Sequence, residues 1–228
     1  MVSRADPPRR GRPRRGPDPQ RFAEILDVAA GIFLERGYDA TSIQEIAEAA
    51  GMLKGSLYYY VRSKEDILFE IIRRVADAAL EMVEKLDDLD AGPLEKLRVF
   101  VRAHVEFTVE NLAGVSIQSR ELRSLSEERR QMVAAVGDAC LRRLRAILQA
   151  GQDEGVVSRD VDVPVASLAI LGLLNSLTQW YRPDGRLTAD LVADQLAAMI
   201  IGGVASTKAL AAAGGGEGLR PPPGPLAG

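Results

Sequence analysis

Hydrophobic side chains recur every three to four residues along most of this chain, the spacing that places them on one face of an α-helix. The first apolar stripe consists of Phe22, Ile25, Leu26, Ala29, Ile32 and Phe33. Asp18 and Pro19 have the pattern of a helix N-cap followed by a first-turn proline, and Gly37 has the pattern of a helix end. The pattern therefore predicts a first helix over residues 19–36.

Later stripes predict five longer helices, and no stretch alternates in the way that strands require. These helices are expected over residues 64–86, 94–112, 127–153, 162–181 and 188–202. In the helix 127–153, the positions expected to face inward are Met132, Val136, Leu141, Leu144, Ile147 and Leu148. The stretch 114–126 is less regular. With two short helices between residues 42 and 61, the sequence predicts an all-α fold of about nine helices.

Residues 37–66 have the pattern of a helix-turn-helix. Ser42 and Glu45 have the S-x-x-E spacing of a capping box, in which each side chain satisfies a free backbone N–H at a helix start. Gly51 can adopt the left-handed backbone conformation of a tight turn, and a second short helix follows over residues 54–61. A helix pair joined by a short glycine-containing turn is common, but an outward K-G-S-x-Y-Y-Y face followed by S-K-E-D is not, so this segment predicts duplex DNA as a partner. The alternative is a small helical core with some surface tyrosines.

The second short helix has a narrow apolar side. Leu57 and Val61 lie four residues apart as its buried stripe, and Met52 and Leu53 before it are also expected to be buried. The remaining side chains are expected to face outward and to contact DNA. Together with Ser42, these predicted contacts are Lys54, Gly55, Ser56, Tyr58, Tyr59 and Tyr60. The lysine can reach a base edge or a phosphate, the glycine permits close approach, and the hydroxyl groups can bind phosphates.

A further DNA contact is predicted at the start of the next helix. Ser63 and Asp66 have cap spacing, which places Lys64 in the first turn of that helix. A cation in this turn lies against the helix dipole, so its presence indicates an anionic partner such as a DNA phosphate.

Residues 20–72 resemble the DNA-binding domain of the TetR family of bacterial transcriptional regulators. The resemblance covers the segment ILDVAAGIFLERGYDATSIQEIAEAAGMLKGSLYYYVRSKEDIL. It implies that a helix over Phe22–Arg36 supports the helix-turn-helix and that the recognition helix starts near Lys54. The family pattern usually has phenylalanine where this chain has Val61, a loss of packing volume that removes no DNA contact.

The segment 179–188, QWYRPDGRLT, resembles a corner found in TetR-type regulators of fatty-acid, steroid and aromatic-acid catabolism. Several of these respond to acyl-coenzyme A (acyl-CoA) thioesters, which implies a repressor that a small hydrophobic effector releases from its operator. A structural role for Trp180, Pro183 and Gly185 in a helix corner is the alternative. Steroid-sensing relatives have Arg and Trp in the preceding helix, where this chain has Leu171 and Asn175, so a bulky steroid thioester is not expected.

An effector pocket is expected among the helices 94–112, 116–153 and 164–181, because ligand sites are mostly apolar cavities with a few polar groups. The candidate lining residues are Phe100, His104, Phe107, Thr108, Asn111, Arg120, Arg123, Asn175 and Gln179. Two alternatives stay open for these residues. His104 can instead be a hydrogen-bonded core histidine, and the two arginines can belong to a solvated face.

The last two long helices are apolar on nearly all sides, over residues 163–177 and 191–204. A helix of this kind needs cover on both sides. The same pair from a second copy would supply it as a four-helix dimer interface. A homodimer also suits DNA binding, because it presents two recognition helices about 34–36 Å apart.

Charge divides the chain unevenly and suggests its domain boundaries. Residues 1–21 contain seven arginines and two aspartates, a net charge of +5, whereas the chain as a whole has −3 and the remainder therefore −8. Such asymmetry is typical of a basic nucleic-acid arm on an acidic body. We expect a disordered basic arm over residues 1–17 and a DNA-binding domain over 18–66. A ligand-binding and dimerisation domain is expected over 67–207, with a disordered tail over 208–228.

Other functional classes find little support in the sequence. The one histidine and the one cysteine (Cys140) form no nucleophile motif, and the sequence contains no metal-ligand cluster or phosphate loop. Enzyme activity, a cofactor and a metal are therefore not expected. The longest apolar stretch, Val163–Leu174, is too short to span a bilayer, and a cytoplasmic location is expected. Two alternatives remain: an efflux-gene regulator that senses lipophilic compounds, and a ligand-independent dimeric DNA-binding protein.

Overall fold

The computed structural model describes residues 18–86 and 89–212. Within this part of the chain there are eleven α-helices and one 3-10 turn, Leu122–Ser124, and no β-sheet. The helices are α1 (Pro19–Arg36), α2 (Ile43–Ala49), α3 (Lys54–Leu57), α4 (Lys64–Glu84), α5 (Pro93–Glu110), α6 (Leu112–Glu121), α7 (Glu127–Asp153), α8 (Val163–Asn175), α9 (Leu177–Trp180), α10 (Ala189–Val204) and α11 (Thr207–Ala212). The prediction of an all-α fold is confirmed.

The predicted helix signals at the start of the chain act as expected. The Asp18 side chain accepts a hydrogen bond from the backbone N–H of Gln20 and caps α1. At the other end, Gly37 adopts φ +83° and donates its N–H to the carbonyl of Phe33. Gly51 adopts φ +65°, the left-handed conformation that the turn between α2 and α3 requires.

The stretch 114–126, predicted to be irregular, is helical over most of its length, so that prediction was wrong. Only Ser116 and Ile117 of α6 are buried, which leaves no long apolar stripe to find in the sequence. Gly114 lies where α6 approaches α4 closely. A Cβ atom at this position would be 2.4 Å from Cγ2 of Val75, so the glycine allows close helix packing and does not interrupt the helix.

Two further expectations from the pattern were also wrong. Met132, predicted to face inward from α7, is 52% exposed, and its neighbour Val133 is buried instead. The tail predicted to begin at residue 208 opens with α11, which is helical from Thr207 to Ala212. The predicted basic arm and the rest of the tail lie outside the described residues.

The buried residues form two apolar clusters that meet along α4. One contains α1–α3 and the first turns of α4, and we call this part the DNA-binding head. The other contains the end of α4 with α5, α7, α8 and α10, and we call it the C-terminal domain. The head cluster also includes Ile117, Leu125 and Val133 from α6, α7 and the turn between them. Helices of the second half of the chain therefore complete the core of the first half.

Helix α8 leaves much of its apolar surface uncovered. Val165 and Leu168 are 64% and 56% exposed, and Met199 of α10 is 56% exposed. With α9, this helix extends the apolar run beyond Leu174, where the sequence pattern ended it. The resulting stretch Val163–Trp180 is long and apolar enough to cross a membrane by length and composition alone, a test that core helices of soluble proteins also pass.

The close approach of α4 and α6 predicts an unusual response to Gly114→Ala. Alanine normally stabilises a helix interior by up to about 1 kcal/mol relative to glycine. Here the added methyl overlaps Val75, and overpacking of this kind costs ~1–3 kcal/mol, so we expect net destabilisation in urea unfolding. Gly137→Ala is the matched control, because a Cβ there meets nothing within 4 Å, and it should stabilise the protein. Combination with Val75→Ala should restore tolerance of the Gly114→Ala change; additive effects of the two changes would contradict this packing.

Candidate DNA-binding surface and effector site

The start of α2 is fixed by the predicted capping box. The backbone N–H of Ser42 donates to Oε2 of Glu45 at 2.8 Å, and the N–H of Glu45 donates to Oγ of Ser42 at 3.2 Å. The hydrogen bond from the Ser42 N–H, followed by that from its hydroxyl, lowers the pKa of the Glu45 carboxyl. Ser42 therefore caps α2, and it is also exposed at this helix start, where the predicted phosphate contact requires it to be.

The recognition helix is shorter than predicted in its regular part. Four residues, Lys54–Leu57, are α-helical, and helical hydrogen bonds continue to Val61 through a tighter last turn. Leu57 and Val61 are buried, which confirms the predicted apolar stripe. Lys54, Gly55 and Ser56 are exposed on the other side, so the structure brings together the three predicted contacts at the beginning of the helix.

The three tyrosines divide into two environments. Tyr58 and Tyr59 are 46% and 53% exposed on the surface that contains Lys54. Tyr60 is only partly exposed, because its ring stacks on Phe22 of α1 at a centroid distance of 5.9 Å and meets Tyr59 edge-on at 5.6 Å. The third tyrosine therefore joins the recognition helix to α1, a packing role that differs from the outward-facing one expected.

Lys64 also differs from the expectation, because its ammonium group is bound within the protein. Nζ donates to the carbonyl oxygens of Tyr38, Thr41 and Asp39 at 2.7, 2.8 and 3.3 Å. An ammonium group has three N–H donors, and three carbonyls accept from it here. The cation in the first turn of α4 is thus stabilised by the loop between α1 and α2, and no DNA phosphate is needed to account for it.

Leu53, expected to be buried, is 80% exposed at the N-cap of α3. Leucine cannot accept a hydrogen bond from the free N–H groups at this helix start, and α3 has no side-chain cap. The sequence already contained the signal for this unusual surface residue: a leucine stands where Ser, Thr, Asp or Asn would be preferred. Its side chain lies beside Lys54 on the surface of the head.

The head is tied to the C-terminal domain by an ion pair at the start of α4. Arg129 of α7 donates from Nη2 to Oδ1 of Asp66, and its Nη1 lies 3.3 Å from Oε1 of Glu65. The guanidinium group also lies 4.8 Å from the ring centre of Phe69. The backbone N–H of Ser126 donates to Glu65 at 2.9 Å and is the largest influence lowering the pKa of that carboxyl.

Asp66 combines this ion pair with the cap of α4. Its Oδ2 accepts from the backbone N–H groups of Arg62 and Ser63 at 2.9 and 3.0 Å. Burial raises the pKa of the Asp66 carboxyl, but the hydrogen bond from Arg129 and the two backbone N–H groups together hold it below the usual value. One carboxylate thus binds the end of the helix-turn-helix and a helix of the C-terminal domain at the same time.

Three of the predicted effector contacts lie on the inner face of α5. Phe100, His104 and Thr108 are spaced by four residues and are at most 5% exposed. Burial lowers the pKa of His104 to about 4, and a hydrogen bond with the Asn175 side chain opposes this shift only in part. Nδ1 of His104 and Oγ1 of Thr108 are buried and have no hydrogen-bond partner among the described residues. Each such atom costs roughly 1–3 kcal/mol.

The other predicted lining residues lie at or near the surface. Phe107 and Asn111 line an open groove of about 370 Å³ between α4 and α5, where the Asn111 side chain donates to the Phe107 carbonyl at 2.9 Å. Arg120, Arg123, Asn175 and Gln179 are exposed. The single pocket predicted from sequence is therefore divided into an interior polar face, an outer groove and four surface side chains.

A helix-turn-helix with an exposed basic and hydroxyl-bearing recognition helix, joined to a larger helical domain, is the architecture of a DNA-binding transcriptional regulator. Comparisons with known proteins give the same class. Residues 25–71 match the family model "Bacterial regulatory proteins, tetR family", and residues 90–204 match "Tetracyclin repressor-like, C-terminal domain". The chain belongs to the TetR family.

Several characterised members are similar over most of their length. The transcriptional repressor KstR2 of Mycobacterium tuberculosis is 34% identical over 185 residues, 81% of this chain and 92% of KstR2. Its structure, that of a ketosteroid transcriptional regulator, gives a TM-score of 0.78 with 33% identity, covering 84% of this chain and 98% of that one.

Two other solved structures are comparably similar. PfmR from Thermus thermophilus gives a TM-score of 0.73 with 39% identity, covering 78% of this chain and 96% of PfmR. AibR, solved in complex with isovaleryl coenzyme A and operator DNA, gives 0.71 with 32% identity, covering 78% of this chain and 97% of AibR. The fold of both domains is therefore shared with regulators of this family.

The bound ammonium of Lys64 predicts that Lys64→Met destabilises the head. The variant keeps the aliphatic chain and removes the three hydrogen bonds to the α1–α2 loop, so we expect a loss of roughly 1–2 kcal/mol in chemical unfolding. Lys54→Met is the matched control on the exposed recognition helix and should leave the unfolding free energy within about 0.5 kcal/mol of the original. Equal stability of the two variants would contradict a structural role for Lys64.

Proposed function

We propose that this regulator is a homodimeric repressor that an acyl-CoA thioester releases from its operator. The observation on which the proposal mainly rests is the connection between the two domains. Residues of α6 and α7 complete the apolar core of the head, and Arg129 of α7 binds the two carboxylates at the start of α4. A ligand that moves α6 or α7 would therefore also change the position of the recognition helix.

The proposed DNA contacts are the exposed side chains on and before the recognition helix. Lys54 reaches a base edge or a phosphate, while the hydroxyl groups of Ser42, Ser56, Tyr58 and Tyr59 bind phosphates. Gly55 permits close approach to the groove, and Leu53 offers an apolar contact of the kind that a thymine methyl group accepts. The arginine-rich residues 1–17 would add affinity that is sensitive to salt.

The proposed dimer is formed by α8 and α10 with their copies in a second subunit. Val165 and Leu168 of α8 and Met199 of α10 are large apolar side chains that the single chain leaves more than half exposed. A two-fold axis here would bury both helices in a four-helix interface and present two heads to successive major grooves. A dimer that binds bacterial operator DNA works in the cytoplasm, which is the proposed location.

The effector class is inferred from relatives and from the interior of the C-terminal domain. AibR binds isovaleryl coenzyme A, and this chain shares its fold at 32% identity. KstR2 is a ketosteroid regulator, but this chain has Leu171 and Asn175 where the resemblance implies Arg and Trp. We therefore propose an unbranched or short branched acyl chain rather than a steroid nucleus.

A lipophilic cation is the second candidate effector, and the outer groove is the observation that favours it. Glu81, Glu106 and Glu110 line this groove together with Phe107, and a single lysine, Lys85, is the positive charge among its lining residues. Negative charge beside an aromatic ring suits an organic cation. In that case the regulated gene would serve efflux.

The function is tested by gel-shift titration on the DNA upstream of the gene, with butyryl-, octanoyl- and palmitoyl-coenzyme A and with a lipophilic cation such as ethidium. We expect one thioester length to weaken operator binding at least tenfold, which corresponds to a coupling of ~1.4 kcal/mol. The doubly substituted Lys54→Ala, Tyr59→Ala protein is the DNA control and should lose specific binding while remaining a dimer. Release by the cation alone would identify an efflux regulator, and indifference to every compound would leave a ligand-independent DNA-binding dimer.

The ion pair between the domains predicts an uncoupled variant. Arg129→Met should keep thioester affinity within about threefold, because the residue lies at the head and away from the inner face of α5. The ratio of operator affinities without and with thioester should fall at least fivefold, since the variant no longer binds the start of α4. Arg142→Met, an exposed arginine elsewhere on α7, is the control and should behave as the original protein. An unchanged ratio in Arg129→Met would show that the signal takes another route.

A further inference from the structure

A small group of polar side chains lies where the inner face of α5 meets the end of α8. We call His104, Thr108 and Asn175 the polar socket. His104 and Thr108 are one helical turn apart on α5, and both are at least 95% buried. Asn175 at the end of α8 is exposed, and its side chain acts on the imidazole from the surface side of the socket. The rings of Phe100 and Phe107 lie 6.1 and 6.2 Å from that of His104.

Two atoms of this socket have unused hydrogen-bonding capacity. Nδ1 of His104 and Oγ1 of Thr108 are buried, and neither has a partner among the described residues. Buried polar groups in folded proteins are nearly always paired, so two unpaired atoms on one face of one helix indicate that a further polar group joins them in another state of the protein.

The socket is also electrically neutral. Burial favours the uncharged ring and lowers the pKa of His104 to about 4. The Asn175 side chain raises this pKa, but its effect is the smaller of the two. The imidazole is therefore uncharged at neutral pH and offers one donor and one acceptor nitrogen, while the Thr108 hydroxyl can donate to an oxygen or accept from one.

We propose that the polar socket binds the uncharged thioester oxygen of the effector and thereby selects an acyl thioester over the free carboxylic acid of the same chain. This inference rests on the proposed function, because it assigns a contact within the effector site. The Thr108 hydroxyl donates to the thioester carbonyl, and the aromatic rings of the socket contact the acyl chain. A free acid would bring a carboxylate into a site without a fixed cation, where its desolvation is not compensated.

The selection has a biochemical meaning. A thioester is the activated form of an acid, so a regulator that rejects the free acid responds only after an acyl-activating reaction has taken place. The socket would thus report the product of that activation and not the supply of the acid itself.

The test measures binding of three matched ligands to the full-length dimer by isothermal titration calorimetry. They are the acyl-CoA that releases the operator, the S-alkyl coenzyme A thioether of the same chain length, which lacks the carbonyl oxygen, and the free acid. We expect the thioether to bind about tenfold more weakly than the thioester, the loss of one hydrogen bond, and the acid to bind more weakly still.

Thr108→Val makes the test specific to the socket, because valine has nearly the shape of threonine and lacks its hydroxyl. The variant should bind the thioester about tenfold more weakly than the original protein does, and its affinity for the thioether should be unchanged. Removal of the hydroxyl from the protein and of the carbonyl from the ligand together form a double-mutant cycle. Without ligand, its melting temperature should stay level or rise, because an unpaired buried hydroxyl has been removed. Thr108→Ser retains the hydroxyl and should preserve the preference for the thioester.

Several outcomes would overturn the inference. They are equal binding of thioester and thioether by the original protein, an equal loss of both in Thr108→Val, or a complex structure in which only an ordered water pairs with Nδ1 and Oγ1. If thioesters still release the operator in these cases, the proposed function stands and the socket alone is wrong. If no coenzyme A compound binds at all, both are wrong.

Discussion

The ion pair between Arg129 and the carboxylates of Glu65 and Asp66 is the interaction on which the two halves of this protein depend. It lies where α7 meets the first turn of α4, directly after the recognition helix. Asp66 also caps α4, so the backbone that leads out of the helix-turn-helix is fixed by the same carboxylate. The DNA-binding surface thus has a defined position relative to the C-terminal domain, which a regulator of this family needs in order to respond to a ligand.

The fold could be predicted well from local signals and less well where tertiary contacts decide. Both capping boxes, the first-turn proline and the turn at Gly51 are encoded within a few residues, and the structure has each of them. Helix α6 was not predicted because so little of it is buried. Its Gly114 resembles a helix-breaking residue in the sequence, but in the structure it lets α6 pack closely against Val75 of α4. Such a contact joins residues about 40 positions apart in sequence, which no local pattern can show.

The site was predictable to a similar degree. The exposed surface of Lys54, Gly55 and Ser56 follows directly from the helical period, whereas the fate of Lys64 does not. Its ammonium group is bound by carbonyls of a loop more than twenty residues earlier, so the charge that suggested a phosphate is satisfied inside the head. The candidate effector contacts were predicted from the type of each side chain and the helix to which it belongs. Which of them face the interior from α5 and which line the groove outside it depends on the three-dimensional packing.

The overlap of the two apolar clusters along α4 has a consequence for the modularity of this protein. Ile117, Leu125 and Val133 form part of the core of the head, although they follow it by more than forty residues in the chain. A head excised after α4 would expose the surface that these three side chains cover. Chimeric regulators that join this head to the sensor of a relative would therefore need a matching α6–α7 corner, and sequence change on either side of this contact is constrained by the other.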